Sequence, residues 1–249
     1  MTTTFPSIRF GLLVGIGGGV PPKVRLGDVV VSVPQGVHPG VVQWDMGKTE
    51  QGGTFRRTGA LNNPPTSLLT ALALLESDRE LGISEIPRYL EELGMKFPSL
   101  KEKYLKSDLK DVLFDAKYSH DSEASDCENC AKDRMIERVP RKFTVHYGII
   151  ASGNQVIKDA IFRDSLVKAL GGNVLCIEME AAGLMNNFPC IAIRGICDYA
   201  DSHKNKAWQE HAAAMAAAFA KELLGYVMVD EVAAEKPAKD VLSQNCDKY

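Results

Sequence analysis

Short apolar runs, each followed by glycine or by polar residues, recur along the sequence and limit what it can fold into. The runs are residues 8–14, 29–31, 41–44, 145–150, 174–177 and 190–196. Runs of this length favour buried β-strands over buried helices. Stretches with helical spacing of apolar residues lie between several of them. Strands that alternate with helices predict a three-layer α/β/α fold with a central mixed, mostly parallel sheet.

The stretches between the runs predict the helices and the domain organisation. Asn63 precedes two prolines and is the expected cap of a first helix, and further helices are predicted at residues 158–170 and 208–224. Residues 84–141 are densely charged and weakly periodic, which predicts an insertion on the scaffold rather than a second core domain. We therefore predict one domain over residues 1–230, followed by a flexible C-terminal tail over residues 231–249.

Composition excludes several classes of partner. The 249 residues are 45% hydrophobic and carry a net charge of −3, which gives no electrostatic reason to expect nucleic acid or an anionic membrane as a partner. The most apolar helical stretch, residues 211–229, has Lys221 and Glu222 near its middle and predicts a buried helix rather than a membrane span. Cys176, Cys190 and Cys197 lie in apolar runs, so we predict buried free thiols and a cytoplasmic setting.

A Cys-x-x-Cys pair in the predicted insertion raises the question of a metal. Cys127 and Cys130, together with His120, supply three candidate ligands, whereas structural zinc usually takes four. Asp126 or Asp133 could supply the fourth. We predict instead two free thiols in an exposed loop, and no metal site.

Glycine or polar residues directly follow four of the predicted strands. In open α/β sheets, ligands bind beyond the carboxyl ends of the strands, so these residues predict a site at one edge of the sheet. The glycine run is not a phosphate-binding Walker A loop, and Val20 stands where a dinucleotide-binding fingerprint needs glycine or alanine. The four segments are the glycine run at residues 15–19, Ser152-Gly153-Asn154, Glu178-Met179-Glu180 and Asp198.

These four segments, in this order, resemble the purine and uridine phosphorylase superfamily, which includes the methylthioadenosine and S-adenosylhomocysteine nucleosidases. The matching stretches are residues 10–19, 150–154, 178–182 and 194–201, and the resemblance extends over about residues 8–224. It is especially close to the fungal branch. The resemblance implies the same α/β/α fold and a site that binds a nucleoside.

The resemblance also implies a role for each segment. Glu180 matches the glutamate that binds the ribose hydroxyls, and Met179 matches the methionine that lines the sugar. Asp198 matches the acid that protonates N7 of the purine. The other residues implied in substrate binding are Glu178, the strip of Ser152, Gly153, Asn154, Gln155 and Val156 beside the base, and Gly17 and Gly18 beside the nucleophile.

The chemistry of the bond places opposite demands on the two carboxyl groups. Cleavage leaves negative charge on the departing base, which a carboxylic acid at Asp198 can neutralise. An apolar strand end would help by raising the pKa of that acid through desolvation. Glu180 must stay ionised to hold the sugar, and a place in the first turn of a helix would favour its charge by about 0.3–1 kcal/mol.

We therefore predict cleavage of the N-glycosidic bond of purine nucleosides, with no organic cofactor. Hydrolysis is favoured because no clear arginine set lies beside the glycine run, while Arg56 and Arg57 keep phosphorolysis, with inorganic phosphate as co-substrate, open. The expected partner is a purine nucleoside, with no nucleic acid and no membrane, and the resemblance leaves a homo-oligomer open. The rival hypothesis is a nucleoside-binding or sensor module that does no chemistry.

The start of the sequence departs from the family. Members begin with a strand, a hairpin and a helix before the segment equivalent to residues 5–8, so the resemblance predicts that the domain is N-terminally truncated. That part carries the acidic residue that activates water in the nucleosidases and the first phosphate-binding glycine in the phosphorylases. A truncated domain favours the binding module.

Overall fold

The structure, a computed structural model, describes residues 4–120, 126–204 and 206–246. The strands in these residues are β1 (Gly11–Gly19), β2 (Val29–Ser32), β3 (Val41–Gln43), β4 (Gly47–Thr49), β5 (Phe55–Arg57), β6 (Val145–Ser152), β7 (Val174–Glu178) and β8 (Cys190–Asp198). The helices are α1 (Thr66–Glu80), α2 (Ile86–Lys96), α3 (Pro98–Tyr104), α4 (Ala160–Ala169), α5 (Ala182–Met185), α6 (Gln209–Leu224), α7 (Val229–Ala234) and α8 (Ala238–Cys246).

The central sheet has the order β2-β8-β1-β7-β6-β3, and β2 also pairs with β6, so that five strands close into a ring. The pairs β1–β8, β2–β6, β3–β6 and β6–β7 are parallel. The pairs β1–β7 and β2–β8 are antiparallel. The prediction of a mixed, mostly parallel sheet is therefore confirmed, and the closure of the sheet on itself is an addition to it.

Alternate strand residues pack on opposite faces of the sheet, as a two-residue period requires. Val29 and Val31 of β2 pack with Phe219 of α6 and Leu68 of α1 on the outer face. Val30, between them, packs inside the ring with residues of β6, β7 and β8. Helix α4 covers β6 and β7 through a separate apolar cluster. Burial of each large side chain of this kind contributes about 1.5–3 kcal/mol to stability. These clusters therefore hold the helices against the sheet.

Two local predictions are wrong. The glycine run does not form a turn, because β1 continues through it to Gly19 and pairs with β8. Asn63 does not cap the first helix, since α1 begins at Thr66 with Pro65 in the capping position and no side-chain cap. The β4–β5 hairpin was not predicted at all.

A buried carboxylate joins the end of the predicted insertion to the sheet. Asp28, at the start of β2, is fully buried and accepts hydrogen bonds from Arg141 Nη1 at 2.8 Å and from the amide of Thr144 at 2.9 Å. His146 Nε2 of β6 lies 2.8 Å from Asp28 Oδ2, so this histidine packs within the sheet. Burial acts to raise the pKa of Asp28, but the hydrogen bonds from Arg141 and His146 outweigh it and hold that pKa below its ordinary value.

The C-terminal segment, predicted to be a loose tail, contains the helices α7 and α8. Ala238 is fully buried and its amide donates a 2.8 Å hydrogen bond to the carbonyl of Ile8. The carboxylate of Glu235 accepts a 3.1 Å hydrogen bond from the amide of Ser67 in the first turn of α1. Glu235 thereby supplies the acceptor that Pro65 cannot provide at the start of α1.

Among the residues that the structure describes, no single helix is long and apolar enough to cross a membrane. The segments Gln209–Leu224 and Val229–Ser243 together have the required length and composition, but they are bent by 89° relative to each other.

Candidate active site

The ends of four strands meet at one cleft. β1 and β7 run antiparallel and pair only through their last residues, Gly18 with Ile177 and Gly19 with Cys176. Because β8 lies parallel to β1 and β6 lies parallel to β7, the carboxyl ends of all four strands converge there. This is a topological switch point, where ligands bind in sheets of this class. The cleft has a volume of about 200 Å³.

Eight of the eleven predicted site residues line this cleft, and three do not. The eight are Gly17, Gly18, Gln155, Val156, Glu178, Met179, Glu180 and Asp198. Ser152 is fully buried, and its hydroxyl oxygen accepts a 2.9 Å hydrogen bond from the amide of Ala182. The amide of Gly153 donates to the carbonyl of Glu178, and the amide of Asn154 donates to Asp45. Ser152 and Gly153 therefore connect the end of β6 to α5 and to β7, Asn154 connects it to the segment after β3, and none of the three lines the cleft.

A buried arginine behind the cleft holds both glutamates, and the sequence reasoning missed it. Arg194 of β8 forms an ion pair with Glu178, and its Nη2 lies 3.1 Å from Oε2 of Glu180. Its side chain is almost completely buried, as is that of Glu178. The available signal was a charged residue in the middle of an otherwise apolar strand, because such a residue needs a partner.

The two glutamates differ in their surroundings. Glu178 ends β7, and its carboxylate accepts hydrogen bonds at 3.1 Å from the amides of Glu180 and Ala181 just before α5. Glu180 precedes α5, so its predicted place in the first helical turn is wrong. Its side chain is 60% exposed, and Glu178 accepts the hydrogen bonds from the free amides instead. Burial and the neighbouring charge of Glu178 raise the pKa of Glu180, while Arg194 acts to lower it.

Asp198 lies at the end of β8 and faces a lysine. One carboxylate oxygen accepts a 2.8 Å hydrogen bond from the amide of Ala200, and Lys204 Nζ lies 3.0 Å from each oxygen. Lys204 therefore contacts the predicted acid directly. Gly18 leaves room for this carboxylate, since a Cβ atom at residue 18 would lie 2.8 Å from Asp198 Oδ1.

Comparison with known proteins decides the family. The family model described as the phosphorylase superfamily matches residues 12–226. The chain belongs to the phosphorylase superfamily. This confirms the resemblance found in the four strand-end segments.

The chain is also similar to one sequence relative and to solved nucleosidase structures. A nucleotide-binding leucine-rich repeat (NLR)-like protein of Hyaloscypha variabilis is 49% identical over 233 residues, which are 90% of this chain and 22% of the relative. The chain thus spans about a fifth of that protein's length. The crystal structure of a 5′-methylthioadenosine/S-adenosylhomocysteine nucleosidase from Colwellia psychrerythraea in complex with adenine is similar with a TM-score of 0.51 and 17% identity, covering 91% of this chain and 70% of that one. The corresponding enzyme from Neisseria meningitidis, in complex with methylthio-immucillin-A, gives a TM-score of 0.49 at 17% identity over 90% and 72% of the two chains.

The cysteines near the cleft of this phosphorylase-superfamily domain are not nucleophiles at neutral pH. Burial, followed by the adjacent charge of Asp198, raises the pKa of the Cys197 thiol far above its ordinary value. Burial likewise raises the pKa of Cys176. A raised pKa favours the protonated thiol. Because only a thiolate reacts readily, neither sulfur is expected to act as a nucleophile.

The two arginines considered as phosphate ligands lie elsewhere in the superfamily domain. Arg56 and Arg57 belong to β5, in the separate hairpin. Arg56 is paired with Glu50 at 2.9 Å, and Arg57 donates to the carbonyl of Gly59 at 3.2 Å. Neither is among the residues that line the cleft.

Proposed function

We propose that this phosphorylase-superfamily domain cleaves the N-glycosidic bond of purine nucleosides. The observation that carries the proposal is the presence, in one cleft, of a carboxyl group beside an ammonium group and of a second carboxylate anchored by a buried arginine. Asp198 with Lys204 forms the first pair, and Glu180 with Arg194 forms the second. The reaction needs these two kinds of group, one for the departing base and one for the sugar.

We assign to Asp198 the protonation of the departing base. In its protonated form it donates a proton to N7 as the bond to the sugar breaks, so that the base leaves as a neutral molecule, and the water that adds to the sugar carbon returns its proton to the Asp198 carboxylate. The ammonium group of Lys204, 3.0 Å from the carboxylate, stabilises the negative charge that develops on this side of the cleft. Gln155 and Val156 line the cleft and supply the surface for the base.

We assign to Glu180 the binding of the sugar. Its partly exposed carboxylate accepts hydrogen bonds from the ribose hydroxyls, while Arg194 holds it from behind. Met179 is partly exposed in the same cleft and offers an apolar surface to the sugar ring. The backbone of Gly17 and Gly18 lies beside the place of the nucleophile, where a side chain would block its approach.

Water is the favoured nucleophile, and no organic cofactor is proposed. Among the described residues that line the cleft, Lys204 is the one cationic side chain, and it is engaged with Asp198. Phosphorolysis would use inorganic phosphate as co-substrate and would require a stronger anion site than this. The purine class is supported by the adenine bound to the Colwellia psychrerythraea nucleosidase, whose fold is similar.

Product analysis tests the proposal. The purified chain is incubated with adenosine, inosine and methylthioadenosine, with and without phosphate, and the products are separated by chromatography. Free base with a free sugar is expected without phosphate, and Asp198→Asn should reduce its rate by about 10²–10⁴-fold. Asp108→Asn, at an exposed position, is the matched control and should keep the wild-type rate.

One contact favours a second candidate, a nucleoside-binding module without chemistry. Lys204 approaches both oxygens of Asp198, which leaves that carboxylate engaged when no base is present. The 49% identical relative from Hyaloscypha variabilis is named as nucleotide-binding, which suits a binding role. Saturable purine binding in calorimetry, with no product from a folded sample, would establish this candidate and reject cleavage.

A further inference from the structure

Three side chains in the segment between α3 and β6 present metal-ligand atoms to one another. The imidazole of His120 and the thiols of Cys127 and Cys130 lie with their ligand atoms all within 4.8 Å of one another. Cys127 and Cys130 line a second cavity of about 490 Å³, whose lining shares Asp198 with the cleft. Cys127 and Cys130 are free, half-buried thiols in a loop whose intervening residues Glu128 and Asn129 are exposed.

Buried imidazole nitrogens at this cluster lack partners among the residues that the structure describes. His120 Nδ1 is buried and has no hydrogen-bond partner among them, which is costly for a ring nitrogen unless something binds it. The Cys127 sulfur lies 3.9 Å from the carbonyl oxygen of His203. Nε2 of His203 is also buried without a partner, and its ring centroid lies 5.5 Å from that of His120. Two orphaned imidazole nitrogens beside two free thiols therefore share one place in the fold.

We propose that His120, Cys127 and Cys130 bind a zinc ion. Two thiolates and an imidazole form a donor set that suits zinc, and the Cys-x-x-Cys spacing is that of structural zinc sites. With Zn–S of about 2.3 Å and Zn–N of about 2.0–2.1 Å, tetrahedral ligand atoms lie about 3.5–3.8 Å apart, so the three need to close by about 1 Å. His203 or a water molecule completes the coordination.

Aromatic rings surround the cluster and limit its contact with water. The ring of Phe114 stacks on His203 with centroids 4.1 Å apart, and Tyr118 stacks on the same histidine at 5.3 Å. The hydroxyl of Tyr118 accepts a 2.9 Å hydrogen bond from the amide of Ala131, next to Cys130. Such an outer shell orients metal ligands and protects them from solvent.

The zinc site ties this segment to the loop that follows β8. The amide of His120 donates a 2.9 Å hydrogen bond to Ser202, and the amide of His203 donates to Asp201. Asp198 and Lys204 flank these loop residues. The metal therefore has a structural role: it fixes one wall of the cleft from outside.

Metal analysis of the reduced 249-residue chain tests the proposal. We expect about one zinc per chain after dialysis against trace zinc. Cobalt(II) substituted for zinc should give thiolate-to-cobalt charge-transfer absorption. His120→Ala and Cys127→Ser should each weaken zinc binding at least about tenfold. His38→Ala and Cys190→Ala, which change the same residue types elsewhere, should leave it unchanged.

A second readout needs no variant and is independent of activity and of folding defects. Zinc should protect the peptide that contains Cys127 and Cys130 from alkylation, and a chelator should abolish the protection. Wild-type chain that contains no zinc, equal alkylation with and without zinc, or a disulfide between these cysteines under the same reducing conditions would each overturn the proposal. Folded variants that bind zinc as tightly as wild type would also overturn it.

Discussion

Gly15 lies directly opposite Arg194 in the pairing of β1 with β8, and a Cβ atom at residue 15 would overlap the guanidinium group of that arginine. The glycine therefore makes room for the side chain that holds Glu178 and Glu180. A glycine run that would otherwise suggest a flexible turn is here a strand whose missing side chains accommodate a buried ion pair.

Substitution of Gly15 by alanine should displace Arg194. Because the new methyl group meets a rigid, buried guanidinium, we expect the free energy of unfolding to fall by about 1–3 kcal/mol. Urea denaturation measures this change. Gly183→Ala is the control, since nothing lies within 4 Å of a Cβ atom there. Equal stability of Gly15→Ala and wild type would contradict the role assigned to Gly15.

Arg194→Lys should keep the fold but impair the proposed cleavage. Lysine retains the charge beside buried Glu178 but lacks the planar group that reaches both glutamates. Loss of one charge-assisted hydrogen bond of about 1.5–3 kcal/mol predicts a fall in kcat/KM of about 10- to 100-fold. Nucleoside cleavage is the assay, and Arg56→Lys in the exposed hairpin is the control. Unchanged kcat/KM would mean that Glu180 needs no support from Arg194.

Acid should destabilise the domain through Asp28. The folded-state pKa of this carboxyl is lower than its ordinary value of 3.8, so its stabilisation is complete above that value and is lost as pH falls through the folded-state pKa. We expect the unfolding free energy to drop below about pH 4 in wild type. Asp28→Asn should be less stable at pH 7 by about 3–5 kcal/mol and flatter in acid. A wild-type-like acid profile in this variant would refute the assignment.

Glu235→Ala should weaken the attachment of the C-terminal segment. The variant leaves the amide of Ser67, a buried residue in the first turn of α1, without its acceptor. An unsatisfied buried donor costs about 1–3 kcal/mol. Thermal denaturation should show a lower Tm, and Glu91→Ala on the exposed face of α2 should not change it. If Tm is the same in both variants, the segment is not held by this carboxylate.

The strands were predictable because their apolar runs are local, and a buried strand end followed by a polar residue also locates Asp198 and Glu180. The partners of these residues were not predictable. Arg194 reaches Glu178 only through the register of separate strands, and Glu235 reaches Ser67 across most of the chain. Glycine was misread because the same residue serves a turn and a crowded strand equally well.

In the predicted insertion, too, the sequence identified candidate residues but not the contacts between them. The sequence named His120, Cys127 and Cys130 as candidate ligands, but spacing alone favoured free thiols. Their meeting beside His203 depends on where the loop after β8 turns, and that turn is stabilised by contacts between distant segments. Local sequence identifies such donors, and only the fold shows that they converge.

The short contact between β1 and β7 has a dynamic consequence. β1 is paired with β8 from Gly11 to Gly18 but with β7 only at its last two residues, so the ring is weakest where the cleft opens. Opening of the ring between β1 and β7 should therefore require only the pairs of Gly18 and Gly19 with β7 to break, while the longer pairing of β1 with β8 stays intact. A molecule that enters the cleft would therefore meet the ring at the strand pair that the fewest residues join.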